Sequence, residues 1–479
     1  MTERGKVTQI SGSFRDPTSR VYRVPSSDGR GTTRVLRGLD AEMLAYHNTL
    51  VKVPFFTRLL DEGRVVGTTS PDATDEAVQD ILNHGWAGVI EHEVIPFISY
   101  PYEWSFGMLR TAALLQLRVL EDALHDGWTM KDATPFNIQF IGSRPVFIDL
   151  PSFVPRNEGE AWVGYRQFCS CFLIPLMLRA YREVDHLPLM RSYIDGILPT
   201  EARKFFTGTA LFRRGVASHV ILPAMVENRI ASRERDDAEA KTRTGKPQSR
   251  AMVLGLVQSL ARLVRSLKIK MDHTDWSDYD RTHSYSDTEH DTKKAFVERA
   301  VAGATSPLVW DIGCNTGTFS EIAARHASYV LAIDGDHNAI EKLYQRQRKS
   351  DSSMIQPMVM NLANISPAQG WAGIERMALD GRRQPDIVLA LALVHHIRMS
   401  ANIPLDVFFD WLAEMGSEVV VEFVDRHDEM VIKLLTNKTE QYEDYNRDNF
   451  IAQARRHFVI KQSQQLKGGK REIFHLAPA

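Results

Sequence analysis

Two stretches of the sequence carry polar residues at spacings that chemistry could use, and the more specific one lies in the C-terminal half. There VWDIGCNTGTF places an apolar strand before a turn with Gly313 and Gly317, and helical sequence follows. Glycines let a backbone approach a ligand closely, and a helix N-terminus offers unpaired N–H groups. One strand later, YVLAIDGD puts Asp334 at a strand end, 23 residues after Asp311. A carboxylate there can accept both hydroxyls of a ribose, so these residues predict an adenosine-binding site.

Three interpretations of this turn compete. It could be a structural strand–turn–helix with no ligand. A dinucleotide fingerprint would need glycines at 313, 315 and 318, where the chain has Gly313, Asn315 and Thr318. The best match is motif I of class I S-adenosylmethionine-dependent methyltransferases, D/E-x-G-x-G-x-G, which Asp311, Gly313, Asn315 and Gly317 resemble. Asn315 stands where this motif most commonly has its middle glycine, but Asn tolerates left-handed backbone better than other non-glycine residues do.

The resemblance continues along the C-terminal half and implies further cofactor contacts. VMNLANIS resembles the segment after the third strand, where Asn361 replaces the usual Asp facing adenine and Leu362 follows it. An amide can still hydrogen-bond the adenine edge. DIVLALALVHHI resembles the fourth-strand motif, which brings Ala390 to the cofactor. Tyr279, in the segment before the first strand, would pack on adenosine or the sulfonium, unless it is a surface or packing residue.

Candidates for a general base follow the fourth and fifth strands. His395 and His396 come just past the fourth strand, at the sheet edge where ligands of open α/β sheets bind. Histidine has a suitable pKa for accepting the proton of an acceptor hydroxyl, and His396 is slightly favoured. Glu422, at the fifth strand, is the runner-up. The alternative is that one histidine packs and the other makes a structural hydrogen bond.

The second polar stretch is MKDATPFNIQFIGSRPVFIDLPSF in the N-terminal half. Asp132, Asn137 and Asp149 have the spacing of a phosphotransferase site, in which one Asp accepts a proton and the Asn and the second Asp hold magnesium. The stretch resembles the catalytic and metal loops of the protein-kinase-like superfamily, particularly its aminoglycoside/choline-kinase branch. That resemblance would imply Mg²⁺ and ATP, but only if the domain is active.

Several departures from the kinase pattern argue against activity. TTRVLRG on the third strand has Arg34 and Arg37 but no nucleotide-clamping Lys, and no GxGxxG precedes it. An Arg does not replace a Lys point charge in a tight pocket. The N-terminal part could therefore be an active kinase, a degenerate kinase-like scaffold, or an unrelated α+β domain with three structural polar residues. The degenerate scaffold is favoured.

The secondary-structure elements that position these residues follow two patterns along the chain, an α+β pattern and then an α/β pattern. Strand and helix patterns of an α+β domain run through residues 1–226, which we predict to be the kinase-like, degenerate domain. Residues 227–275 are a charged linker and a bridging helix, around Met252–Leu267. From 276 to 479 strands alternate with helices, which indicates an α/β Rossmann-like seven-stranded sheet, the class I methyltransferase domain.

Composition excludes several function classes. The 479-residue chain has a net charge of −2, so no global field recruits nucleic acid, and no basic, aromatic-interleaved tract appears. Cys169, Cys171 and Cys314 form no CxxC pair, which argues against a structural metal site, and the first two are expected to be buried. No apolar run is long enough to span a bilayer or to be a signal peptide, so we predict a cytoplasmic protein. The oligomeric state is not predicted.

The two halves together resemble bacterial two-part methyltransferases related to nodulation proteins, through SFRDP…RVYR, IPFISYPYEWSF, KDATPFNIQF and PVFIDLPSF. The resemblance implies an S-adenosylmethionine-dependent methyltransferase, and we expect O-methylation of a small-molecule or glycan-like acceptor. Two alternatives stay open: a bifunctional kinase–methyltransferase, and a non-catalytic protein that uses the cofactor fold as a scaffold.

Overall fold

The computed structural model describes residues 7–25, 32–233, 247–271, 287–436, 438, 442–466 and 468–479. The chain divides into two compact units by its internal contacts. The first unit comprises Met1–Phe140 and Pro145–Met271, and the second comprises Ile141–Arg144 and Asp272–Ala479. Within the described residues, no helix is long and apolar enough to cross a membrane.

The first unit begins with a five-stranded antiparallel sheet in the order β1-β2-β3-β5-β4. Its strands are β1 (Thr8–Gln9), β2 (Ser19–Pro25), β3 (Thr32–Leu39), β4 (Thr68–Thr69) and β5 (Gly88–His92). Three helices accompany it, α1 (Ala41–Leu50), α2 (Pro54–Asp61) and α3 (Glu76–Asn83). Tyr22 and Leu36 lie opposite each other on β2 and β3, and with Ile81 of α3 they form a core cluster in this part.

The rest of the first unit is mostly helical. Its helices are α4 (Phe106–His125), α5 (Tyr165–Phe168), α6 (Ile174–Arg182), α7 (His186–Ser192), α8 (Pro199–Ala202), α9 (Leu222–Arg233) and α10 (Arg250–Ser266). Its short strands are β6 (Trp128–Met130), β7 (Ile138–Ile141), β8 (Arg144–Phe147) and β9 (Phe153–Pro155). In the long helix α4, Leu109, Ala113, Leu117 and Leu120 are all buried. The helix expected around Met252–Leu267 is present as α10, which packs against α4.

The second unit holds a seven-stranded sheet in the order β12-β11-β10-β13-β14-β16-β15. Its strands are β10 (Leu308–Ile312), β11 (Tyr329–Asp334), β12 (Ile355–Val359), β13 (Ile387–Ala390), β14 (Glu418–Val424), β15 (Phe458–Gln465) and β16 (Arg471–Pro478). The first five are parallel, and β16 runs antiparallel to both of its neighbours. The predicted Rossmann-like seven-stranded sheet is therefore confirmed. A kinase-like fold for the first unit stays a prediction.

Strand order decides where a ligand can bind in this sheet. From β10 the chain moves outward through β11 and β12, then returns to the other side of β10 with β13 and β14. The loops after β10 and β13 consequently part and leave a crevice at the carboxyl ends of the strands. The helices of this unit are α11 (Asp287–Ala302), α12 (Thr318–Ala323), α13 (His337–Lys349), α14 (Leu405–Glu414), α15 (Glu429–Leu435) and α16 (Arg447–Ala454).

Candidate functional site

A cavity of about 730 Å³ lies where the strand order reverses in the second unit. It is lined by the turn after β10, by the ends of β11 and β12, by the segment after β13, and by residues of α11 and α12. Eight of the sequence-predicted site residues line it: Asp311, Gly313, Asn315, Asp334, Asn361, Leu362, His395 and His396. Tyr279 lies outside the described residues.

The turn after β10 has the left-handed backbone that its sequence predicts. Gly313, Asn315 and Gly317 have φ values of 77°, 51° and 85°. The Asn315 side chain stabilises its own turn, since its Oδ1 accepts a hydrogen bond from the Thr316 N–H at 2.6 Å. A Cβ at position 317 would lie 2.6 Å from the side chain of Leu343, so glycine is required there for space as well as for φ.

Asp334 ends β11 directly beside this turn. Its Oδ2 accepts a hydrogen bond from the Asn315 N–H at 2.8 Å, and its Oδ1 accepts one from the Asp336 N–H at 2.8 Å. Burial raises the pKa of Asp334, and the backbone N–H groups offset part of that rise. Each carboxylate oxygen keeps a second lone pair, so both can still accept hydroxyl groups of a ligand.

Asp311, at the end of β10, links the strand to α12. The Ser320 hydroxyl donates to its Oδ2 at 2.6 Å. Burial raises the pKa of Asp311 to about 7, although the Ser320 hydrogen bond opposes the rise. A carboxyl group that is partly protonated near neutral pH can both donate and accept hydrogen bonds.

The segments after β12 and β13 complete the walls. Asn361 caps a short 3₁₀ turn, since its Oδ1 accepts from the Ala363 N–H at 2.9 Å, and Leu362 lines the cavity beside it. Ala390 is the last residue of β13 and is buried, and the cavity wall starts at the next residue, Leu391. Gly317 likewise supports the turn without lining the cavity.

His395 and His396 both line the cavity, with ring centroids 4.1 Å apart. Burial lowers the pKa of His395 well below its ordinary value, and burial together with Arg471 lowers the pKa of His396 to about 4. Both imidazoles are therefore neutral at pH 7. The His395 side chain is 2% exposed, and its Nδ1 has no hydrogen-bond partner within the part of the chain that the structure describes. That atom can hydrogen-bond a ligand.

Glu422 lies in the middle of β14 and is fully buried, so it sits beneath the cavity rather than in its lining. The Lys293 ammonium donates to its Oε2 at 2.6 Å, with side-chain exposures of 3% and 0%. The same oxygen accepts from the Ala392 N–H at 2.9 Å. Ala392 has a left-handed φ of 50° and lines the cavity, so Glu422 holds a strained residue of the cavity wall in place.

A second cation joins this group. Arg471 places its Nη1 3.6 Å from Glu422 Oε1 and pairs with Asp428 at 2.8 Å. Two cations and two carboxylates thus form a balanced buried network. Sequence reasoning missed Lys293, although a signal existed. Lys293 shares the spacing of Phe296, Val297 and Ala300, so a charge sits on the buried face of α11.

In the first unit, one of the three kinase-like residues, Asp149, faces a cation of the protein itself. Arg37 on β3 pairs through Nη1 with Asp149 Oδ1 at 3.1 Å. Burial and the nearby Asp149 carboxylate raise the pKa of Asp132. Asn137 ends a 3₁₀ turn before β7. Among the described residues, no group of three or more His, Cys, Asp or Glu side chains could hold a metal ion.

His92, which itself contacts Thr68, fixes the orientation of Arg37. Its Nε donates to His92 Nε2 at 3.2 Å, so His92 carries its proton on Nδ1, which faces the Thr68 hydroxyl at 2.9 Å. Burial and the Arg37 charge lower the pKa of His92 well below its ordinary value, consistent with a neutral ring. Arg34, the other arginine of β3, pairs with Glu91 and Asp75 instead.

Among solved structures, the chain is similar to the N-methyltransferase NodS from Bradyrhizobium japonicum WM9, with 14% identity, 40% of this chain and 99% of that chain covered, and a TM-score of 0.30. It is also similar to magnesium protoporphyrin IX methyltransferase (ChlM) from Synechocystis PCC 6803, with 14% identity, 40% and 84% covered, and a TM-score of 0.29. At these TM-scores the likenesses carry no weight for function.

No family model matches the chain. A sequence relative covers nearly all of it: the nodulation protein NoeA of Rhizobium meliloti (strain 1021) is 30% identical over 471 residues, which are 97% of this chain and 95% of that protein. Both units are included in this match. The chain belongs to the family of the nodulation protein NoeA.

Proposed function

We propose that the second unit is an S-adenosylmethionine-dependent methyltransferase that transfers a methyl group to a hydroxyl of a small-molecule or glycan-like acceptor. One observation carries the proposal. The Asp334 carboxylate is held by the Asn315 N–H beside a glycine-rich left-handed turn, inside a cavity at the reversal point of a parallel sheet. This is where open α/β sheets bind nucleosides.

The residues present fit that cofactor. Asp334 would accept the ribose hydroxyls, and Asn361 with Leu362 would face the adenine. Gly313 keeps the floor open, since a Cβ there would lie 3.1 Å from the Leu393 side chain. The cavity of about 730 Å³ is within the usual range for cofactor sites, roughly 300–1,000 Å³. It leaves room for part of an acceptor.

When bound, S-adenosylmethionine supplies an electrophilic methyl group on a sulfonium, which needs no activation by the protein. The protein's own residues then have two tasks, alignment of the acceptor and removal of the hydroxyl proton. A neutral imidazole of His395 or His396 can take that proton, as a weaker base than an exposed histidine because burial lowers the pKa of both rings. The sequence slightly favours His396, whereas the buried, unpartnered Nδ1 supports His395.

For Glu422 we propose a positioning role in place of the base role that its sequence position suggests. A carboxylate that already accepts hydrogen bonds from Lys293 and Ala392 is a poor proton acceptor for a substrate. Its contact with Ala392 instead fixes the wall that carries Leu393 and the two histidines. The first unit would then serve as a companion domain. No described contact favours Mg²⁺–ATP chemistry in it, because Arg37 engages Asp149.

Calorimetric titration with S-adenosylhomocysteine tests the cofactor site. The variant Asp334→Ala should bind roughly 100-fold more weakly, because two hydrogen bonds to a charged acceptor are lost. Asp448→Ala, an exposed carboxylate on α16, is the matched control and should bind normally. Unchanged binding in folded Asp334→Ala would refute the site assignment, and no binding by the wild type would refute the proposed function.

A mass-spectrometric screen for products 14 Da heavier, with labelled cofactor and pooled hydroxylated acceptors, tests the reaction itself. Labelled product from the wild type distinguishes the enzyme from a non-catalytic protein that only binds the cofactor. Transfer to nitrogen instead of oxygen would retain the methyltransferase assignment and reject the hydroxyl acceptor.

A further inference from the structure

One stretch of the first unit has a local charge unlike that of the chain as a whole. Between Arg203 and Val226 the sequence RKFFTGTALFRRGVASHVILPAMV contains four cations, Arg203, Lys204, Arg213 and Arg214, and no carboxylate. The whole chain has a net charge of −2. We call this stretch the 203–226 surface. Two of its cations precede residues 205–212, which are largely apolar, and the other two follow them.

Large apolar side chains of this stretch are exposed. Phe212 is 90% exposed, and Leu211 beside it is exposed as well. On α9, Leu222, Met225 and Val226 are all exposed and share one face of the helix by their spacing of three and four residues. Neighbouring exposed apolar residues, such as Leu211 with Phe212, mark an interaction site more often than single scattered ones do.

The exposed side chains are presented by ordered structure. Phe206, Ala210 and Val216 are buried beneath the loop that carries Phe212. The Tyr181 hydroxyl donates to the Arg214 carbonyl at 3.1 Å, and the Arg213 guanidinium lies over the Tyr181 ring at 5.7 Å. The loop is therefore anchored through its backbone and its buried residues, while Leu211 and Phe212 point to solvent.

The carboxylates that border the stretch neutralise only one of its four cations. Glu201, just before the stretch, pairs with Lys204 at 2.7 Å, and Glu227, just after it, pairs with Arg166 at 3.0 Å. Within the residues that the structure describes, no carboxylate pairs with the three arginines of the stretch. The surface thus offers a net positive field around exposed apolar side chains.

We propose that the 203–226 surface binds peripherally to an anionic lipid bilayer, with Leu211 and Phe212 inserted at the headgroup level. Apolar side chains flanked by cations are what an interfacial binding site needs, since the former enter the acyl boundary and the latter meet anionic headgroups. The aliphatic stems of lysine and arginine can follow the apolar residues inward while their charges stay in water. A bilayer also accepts the projecting Phe212 without a preformed pocket. This inference does not depend on the proposed methyltransferase activity.

An environment-sensitive probe at position 212 tests insertion directly. Cys169, Cys171 and Cys314 are buried, so a nitrobenzoxadiazole label on the full-length Phe212→Cys variant reacts at the new thiol. Vesicles of phosphatidylcholine with phosphatidylglycerol should shift its emission to the blue and raise its intensity. Vesicles of phosphatidylcholine alone should give little change, and added salt should weaken the response.

Sedimentation with the same vesicles measures the contribution of each part. Arg213→Glu/Arg214→Glu should weaken partitioning by about 25-fold or more, about fivefold for each cation lost. Leu211→Ser/Phe212→Ser should weaken it by about tenfold or more. Matched controls in the second unit are Arg348→Glu/Lys349→Glu and Trp371→Ser, which change exposed residues of the same types and should partition normally.

Three results would overturn the proposal. The first is no binding of the wild type to anionic vesicles at physiological salt. The second is equal partitioning of both double variants and the wild type. The third is a dimer that dissociates in folded Leu211→Ser/Phe212→Ser while vesicles are not bound, which would assign the surface to a second copy of this chain.

Discussion

Replacing Glu422 with Gln separates the effect of the side chain's negative charge on the buried network from the effect of its shape. Gln has nearly the same volume, and its carbonyl can still accept from the Ala392 N–H. The change removes the negative charge that Lys293 contacts at 2.6 Å, where both side chains are almost fully excluded from water. Lys293 then loses the carboxylate that it contacts, and it keeps the repulsion of Arg471 and the weaker attraction of Asp311.

The expected cost is about 3–5 kcal/mol of unfolding free energy, the usual penalty for leaving one buried charge without its partner. Lys293→Met should cost less, about 2 kcal/mol, because Glu422 keeps Arg471 and the Ala392 N–H. The double variant Lys293→Met/Glu422→Gln leaves no orphaned charge on this pair. Its cost should therefore be smaller than the sum of the two single costs.

Urea unfolding between pH 7 and pH 9.5 provides the assay and a signature of the mechanism. Burial already lowers the pKa of Lys293 below its ordinary value, and Glu422 opposes that shift. Without Glu422 the folded pKa falls further below that of the unfolded chain. The unfolded chain then binds more protons in this pH range, so the stability of Glu422→Gln should rise with pH more steeply than that of the wild type.

If Glu422 only stabilised the fold, replacing it would change the unfolding free energy but not kcat, so kcat is measured as well. If Glu422 positions the cavity wall through Ala392, Glu422→Leu, which cannot accept from the Ala392 N–H, should lower kcat more than Glu422→Gln does, while KM for the cofactor changes little. A Glu422→Gln variant within about 1 kcal/mol of wild-type stability would refute the reasoning. A pH profile parallel to that of the wild type, or single costs that simply add, would refute it equally.

Three further predictions concern single groups. Burial raises the pKa of Asp311 to about 7, so the stability that its protonated form contributes is full at low pH and lost as pH rises through 7. Between pH 5 and pH 8 the unfolding free energy of Asp311→Asn should therefore rise by about 3 kcal/mol relative to that of the wild type. Urea unfolding measures this difference, and identical pH profiles would contradict it. The base proposal expects His395→Ala or His396→Ala to lower kcat about 100-fold with cofactor binding nearly unchanged, and less than about a tenfold loss in both would reject it. Because Arg37 occupies Asp149, the chain should not turn over ATP with Mg²⁺, whereas turnover that disappears in Asp149→Ala would show an active kinase site.

Elements with a strong period could be predicted from the sequence, and so could the left-handed turn after β10. The seven strands of the second unit and the buried face of α4 follow from local apolar patterns. Asn315 in the left-handed turn follows from an intrinsic backbone preference. Helix boundaries shifted by a residue or two: the helix expected around Met252–Leu267 spans Arg250–Ser266, because Ser249 caps it.

Partnerships between distant residues could not be predicted in this way. Lys293 and Glu422 are 129 residues apart, and Arg37 and Asp149 are 112 apart. Each residue alone is an ordinary charge in the sequence. Only packing determines which charges are removed from water together, and that decides whether Glu422 faces a substrate or a lysine.

Phe212 shows the same difference between what the local sequence predicts and what the tertiary structure decides. GTALF has the composition of a core segment, and nothing local distinguishes Phe212 from the buried Phe206. The sequence by itself determined the parallel sheet, the left-handed turn after β10 and the charge of the 203–226 surface, because periodicity, backbone preference and charge are local properties. Only the tertiary structure decided which charges are paired and which apolar side chains face solvent, because burial depends on residues that are far apart in the chain.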